Sequence, residues 1–185
     1  PGSMKKDAPS RGLLVSRFLT GDQSPREYLE SLKKDAGMYN GFNLILGNKD
    51  ELYWYSNRGD VERRLGMGIY GLSNHLLDTP WPKVARGKAE FTRLISETDM
   101  PCPDAFFSLL EDRTQANDKE LPDTGVGLER ERMLSPVFVS SSDYGTCSST
   151  LLFIDRNDRV IFMERTFKRD LAPASSVRYE FKIEP

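Results

Sequence analysis

The sequence predicts an α+β protein with helices layered on antiparallel sheet. Three observations carry that class. Apolar residues recur at helical spacing up to Gly37, alternate at strand spacing from Phe42 to Leu72, and repeat the same change of period after Thr79. The strand-like runs are joined by short turns of Asn, Asp and Gly, the chemistry of antiparallel hairpins. Neighbouring strands are not separated by helix-length segments, as a parallel doubly wound sheet would need.

Each element has its own signal. Ser10 caps a helix near 11–20 that carries Leu14 and Phe18 and stops at Gly21. Ser24, Pro25 and Glu27 form a capping box that starts a helix near 25–36, with Leu29, Leu32 and Ala36 on one face. Strands follow near 42–46 and 52–55 around Asn48-Lys49-Asp50. Asn57-Arg58-Gly59-Asp60 is the next turn, with Gly59 supplying a positive φ. A weak strand near 61–65 and a short one over 68–73 complete the first set. Thr79-Pro80-Trp81-Pro82 opens a helix near 82–97, and a shorter one spans 103–111. Arg113 to Ser135 has no clear period and reads as a long surface excursion. Val137 to Val139 reads as a strand. Strands near 148–154 and 160–166 form a hairpin about Arg156-Asn157-Asp158, and 177–183 closes the sheet.

The 185 residues fit one domain. Pro1-Gly2-Ser3 before Met4 reads as a cloning scar, and residues up to Pro9 as a flexible lead-in, which leaves 10–185 as the domain. A net charge of −2 gives no field to attract nucleic acid. No apolar run is long enough for a transmembrane segment, and no signal-like start is present. Cys102 and Cys147 are far apart and form no CxxC, so a reducing, cytoplasmic setting and no metal site are expected.

Most tempting motifs fail on context. Gly66-x-Gly68-x-x-Gly71 spells a dinucleotide fingerprint, but no helix follows to meet a phosphate. Arg58-Gly59-Asp60 spells an adhesion tripeptide and reads as a hairpin turn. Leu121-Pro122-Asp123-Thr124-Gly125 spells a sorting signal without the apolar span that must follow it. Cys147 and His75 make a nucleophile pair only if the fold joins them; a small thiol on a strand is the plainer reading. Asn74, at the end of Tyr70-Gly71-Leu72-Ser73-Asn74, either offers an amide to an oxyanion or bonds its own turn.

Tyr39-Asn40-Gly41-Phe42-Asn43-Leu44, Ser56-Asn57-Arg58-Gly59, Tyr70 to Asn74 and Asp78-Thr79-Pro80-Trp81-Pro82-Lys83 stand in a fixed order, followed by Tyr144-Gly145-Thr146 and Glu164-Arg165. Together they resemble the transport-and-Golgi-organization protein 2 family, also called the NRDE family after an Asn-Arg-Asp-Glu motif. The resemblance runs from about Ser10 to Phe181. It implies a layered αββα fold similar to N-terminal-nucleophile hydrolases, nearest their bile-salt and penicillin V acylase branch. There the leading residue, usually Cys, is the nucleophile and its α-amine the base.

The resemblance also sets expectations for function. Family members carry Cys after the initiator Met and then the Asn-Arg-Asp-Glu motif; this sequence shows neither, so an incomplete N-terminus and an inactive site are expected. Asn74 resembles the acylases' mid-chain oxyanion donor. Tyr70, Ser73, His75 and Cys147 are the accompanying binding candidates; Cys147 stands near the place of the acylases' late-strand Arg. The intact protein is expected to hydrolyse an amide or thioester of a small acyl substrate. The alternative is a non-catalytic carrier of haem or of lipid-like acyl-coenzyme A ligands. No cofactor is required; haem is a possible ligand, with His75, the cysteines, Met and Tyr as axial candidates. The vacant sheet edge predicts self-association or pairing with the missing N-terminal segment.

Overall fold

The computed structural model describes residues 5–97, 102–168 and 173–184; the expected scar and Met4 lie outside them. The chain divides into two compact units, 1–79 and 80–185, each with its own antiparallel sheet.

The first unit opens with helix α1 (Gly12–Leu19) and helix α2 (Pro25–Asp35). Ser24 and Glu27 form the expected reciprocal capping box, with Pro25 in the first turn. Strands β1 (Asn43–Gly47), β2 (Leu52–Ser56) and β3 (Val61–Leu65) then form a meander in that order. Leu44 pairs with Tyr55 and Leu46 with Tyr53, so all four side chains share one sheet face. That face joins Tyr28, Leu29 and Leu32 of α2 in one core. Tyr28 donates its hydroxyl to the Leu14 carbonyl at 2.6 Å, which ties α1 to the same core. Tyr55 is buried and donates to Asp60 at 3.0 Å. Burial, then that carboxylate, pushes its phenol up to about 12.

The second unit carries α3 (Pro82–Glu97), α4 (Pro103–Leu110) and α5 (Leu128–Leu134), then β4 (Ser148–Ile154), β5 (Arg159–Phe167) and β6 (Pro173–Lys182). Its sheet is again a meander in chain order. Leu94, Phe106, Phe107 and Leu151 make the core, joined by Phe153 and Met163 from the same sheet face. The opposite face is apolar too. Leu152 pairs with Phe162 and Phe162 with Tyr179; Ile154 pairs with Val160 and Val160 with Phe181. Leu152, Ile154, Tyr179 and Phe181 each expose more than half their surface, at 59%, 52%, 59% and 54%.

Six strands and four of the five helices follow the expected order, so the chain is α+β with antiparallel sheets. Four local expectations are corrected. Residues 68–73 form no strand; Gly71 instead closes a loop with Asp78, its N–H going to the Asp78 carboxylate and its carbonyl to the Asp78 N–H. Residues 137–139 form none either; among the described residues Val139 bonds Thr146, and the ladder contact nearby is an isolated bridge between Ser140 and Gly145. The excursion from 113 to 135 holds a 3₁₀ turn at Asp118–Glu120 and the whole of α5. Gly127, at φ 89°, starts α5, and the buried Glu131 accepts from the Thr124 backbone and hydroxyl. Finally, Asp60 at φ 48°, not Gly59, takes the left-handed position of its turn.

The lead-in is also anchored. Lys5 donates its backbone N–H to Asn40 Oδ1 at 2.8 Å, and Asn40 Nδ2 returns a bond to the Lys5 carbonyl at 3.1 Å. No helix among the described residues is long and apolar enough to cross a membrane.

Candidate functional site

The motif segments of the first unit are wired to one another. Asn57 sits where β2 ends. Its Oδ1 accepts from the Phe42 N–H at 2.8 Å and its Nδ2 donates to the Ala36 carbonyl at 3.0 Å, which fixes the entry to β1 against the end of α2. Ser56, fully buried, donates to the Phe42 carbonyl at 3.2 Å. One residue on, Asn43 accepts from the Trp54 indole at 3.2 Å and donates to the His75 carbonyl at 2.9 Å. Arg58 Nη1 donates to the Asn74 carbonyl at 3.2 Å. Asn43 of β1 and Arg58 of the turn after β2 thus grip consecutive carbonyls of the irregular segment.

That segment is closed on itself as well. Gly71 N–H donates to Asp78 Oδ1 at 2.9 Å, and Asp78 N–H returns to the Gly71 carbonyl at 2.8 Å. Asp78 adopts φ 58°, a conformation that a short acidic side chain tolerates. The Arg63 guanidinium lies 5.3 Å over the Tyr70 ring, whose hydroxyl donates to Gly66.

Between this segment, the start of β1 and α1 lies a groove of about 590 Å³. Leu14, Val15, Leu44 and Leu72 give it an apolar surface. Asn43, Ser73 and Asn74 supply neutral polar groups, and Arg11 and Arg58 the charge. The Asn74 side chain makes no hydrogen bond to any described residue, so its amide is available to a ligand. Of the residues singled out from sequence, Asn74 and Ser73 line the groove.

Tyr70, His75 and Cys147 are placed elsewhere. Tyr70 is held by Arg63 and Gly66. His75 lies next to Asn74, with Nδ1 2.8 Å from Thr79 Oγ1. Thr79 gives its own proton to the Leu76 carbonyl, so Nδ1 is the donor in that pair. Cys147 is exposed at the entry to β4 in the second unit, its thiol 3.6 Å from the Gly145 carbonyl. Among the described residues no three His, Cys, Asp or Glu side chains cluster as metal ligands would.

Sequence reasoning missed Arg11 and Gly41, and left Arg58 without a role. Gly41 and Arg58 both stand inside the motif strings, and both are polar or small where a strand meets a turn. Only the fold shows that they meet.

The fold and groove define an α+β protein with a concave site of the size that small-molecule clefts have. The chain belongs to the Transport and Golgi organisation 2 family, whose sequence model matches residues 2–169. It is 33% identical over 192 residues to the Transport and Golgi organization 2 homolog of Mus musculus, covering 96% of this chain and 70% of that one. The Homo sapiens homolog is 34% identical, with 96% and 69% covered. The Drosophila melanogaster protein is 24% identical over 180 residues, with 87% and 62% covered.

Proposed function

We propose that the groove binds the acyl part of a small amide or thioester, on a scaffold of the acylase kind with layered αββα architecture. The observation that carries this reading is the lining. An apolar wall of Leu14, Val15, Leu44 and Leu72 meets the neutral donor of Asn74, which matches an acyl chain ending in a carbonyl. Asn74 is then the donor to the carbonyl oxygen and, where the bond is hydrolysed, to the oxyanion. Carriage of a lipid-like acyl ligand uses the same contacts without bond cleavage. Haem is served less well, since the lining offers no His, Cys, Met or Tyr to an iron.

The test is a titration with octanoyl-N-acetylcysteamine, a neutral acyl thioester. Saturable binding is expected, and Leu72→Asp is expected to weaken it at least tenfold by placing a charge against the acyl chain. Absence of saturable binding, or binding indifferent to Leu72→Asp, overturns the reading.

For the second unit we propose a second copy of the chain as partner. The exposed face of Leu152, Ile154, Tyr179 and Phe181 offers roughly 100 Å² per side chain, about 400 Å² per copy. A two-fold contact lays this face on itself, and its total area falls in the weak, transient class. Sedimentation across a concentration series should therefore show a monomer–dimer equilibrium in the upper micromolar range. Tyr179→Lys should leave only monomer with an unchanged melting temperature. A wild-type monomer up to about millimolar concentration would disprove the contact.

A further inference from the structure

We infer that the groove selects acyl compounds whose non-acyl part carries an oxyanion, a carboxylate or a phosphate, and that Arg11 and Arg58 are the residues that hold it. The inference rests on the acyl reading of the groove and names the substrate class within it.

Three observations carry it. First, Arg11 and Arg58 both line the groove, and no Asp or Glu does. Second, neither is neutralised by a carboxylate among the described residues. Their bonds go to neutral backbone carbonyls: Arg11 Nη1 to Gly41 at 3.2 Å and Arg58 Nη1 to Asn74 at 3.2 Å. Arg86, Arg93, Arg132 and Arg165, by contrast, are all spent on acidic partners. A guanidinium has five donors, so one carbonyl leaves most of its fork to a ligand.

Third, Gly41 brings the two together. Its carbonyl receives Arg11, and its missing side chain makes room for Arg58: a methyl group there would stand 2.7 Å from Arg58 Nε. Gly41 has no positive φ, so its backbone does not require glycine; this placement of the Arg58 side chain does. Two cations that both touch Gly41, beside an apolar wall, suit an amphiphile with its anion close to the carbonyl. The site is open to solvent, so each contact is worth a modest factor and is screened by salt.

The experiment compares three ligands of equal acyl length: N-octanoylglycine, octanoyl-phosphoethanolamine and the neutral N-octanoylglycinamide. At low ionic strength at least one anionic ligand is expected to bind about tenfold tighter than the neutral one. The order of the two anions tells carboxylate from phosphate. Arg11→Gln and Arg58→Gln should each narrow the gap between the anionic and the neutral ligand about threefold. Gly41→Ala should copy Arg58→Gln in binding while keeping the wild-type melting temperature, because it displaces only the end of a flexible side chain. Equal binding of all three ligands, with the arginine variants silent, refutes the anion clamp and leaves the acyl reading standing. Failure of every ligand, together with octanoyl-N-acetylcysteamine, refutes the acyl reading itself. Arginine variants that weaken neutral and anionic ligands alike assign these residues a structural role and also refute the clamp.

Discussion

Asn74→Ala is expected to lower acyl-thioester turnover, where the proposed groove hydrolyses its ligand, about 10²–10³-fold, the usual cost of one oxyanion donor. The melting temperature should hardly move, since the side chain lines the groove and bonds no described residue. The Asn74 carbonyl stays in Arg58's grip in the variant, because that bond is made by the backbone. The effect should therefore fall on kcat rather than on KM. Should the protein carry its ligand without cleaving it, the same substitution reads as about a fivefold loss of affinity for a carbonyl-bearing ligand, the worth of one neutral hydrogen bond. An unchanged kcat together with unchanged affinity would remove Asn74 from the site.

Phe107→Ala is expected to destabilise the second unit by about 3–5 kcal/mol. Phe107 is fully buried on α4, in the core made with Leu94, Phe106 and Leu151. Arg165 lies 3.9 Å over its ring and bonds Asp104 and Glu111 beyond it, so losing the ring also removes the surface on which that ion pair network rests. Phe106 stacks with Phe91 and Phe153 at 5.3 and 5.7 Å and cannot move over to fill the space without breaking those contacts. Total stabilities of about 5–15 kcal/mol make this a large fraction. Urea unfolding followed by a second-unit probe should show a lower midpoint at unchanged slope. A loss below about 1 kcal/mol would mean that the site collapses around the missing ring.

The elements that could be read from sequence are those whose stabilising groups are local. The helix after Ser24 announces itself because cap, proline and Glu27 lie within one turn. The hairpins announce themselves because alternation and turn residues are adjacent in the chain. Residues 68–73 misled because Ile69, Tyr70 and Leu72 look strand-like, while the groups that hold the segment come from Arg63 and Asp78, and Asn43 and Arg58 fix the two residues that follow it. Helix α5 was hidden by its charge: Glu131 is buried against Thr124, so the inward face does not read as apolar. The groove was half visible. Ser73 and Asn74 came through the family resemblance, whereas Arg11 and Arg58 lie far apart in sequence and become neighbours only through Gly41.

The anchoring of Lys5 on Asn40 has a practical bearing on protein handling. Asn40 adjoins Gly41, and Arg11 follows Lys5 within the same stretch, so the extreme start of the described chain runs beside the mouth of the groove. An affinity tag or fusion partner joined ahead of Lys5 would emerge there and compete with whatever the groove takes up. A trypsin nick after Arg11 would cut the tether between that guanidinium and α1, leaving a sample that migrates almost as the intact chain but has lost half of its charge at the site.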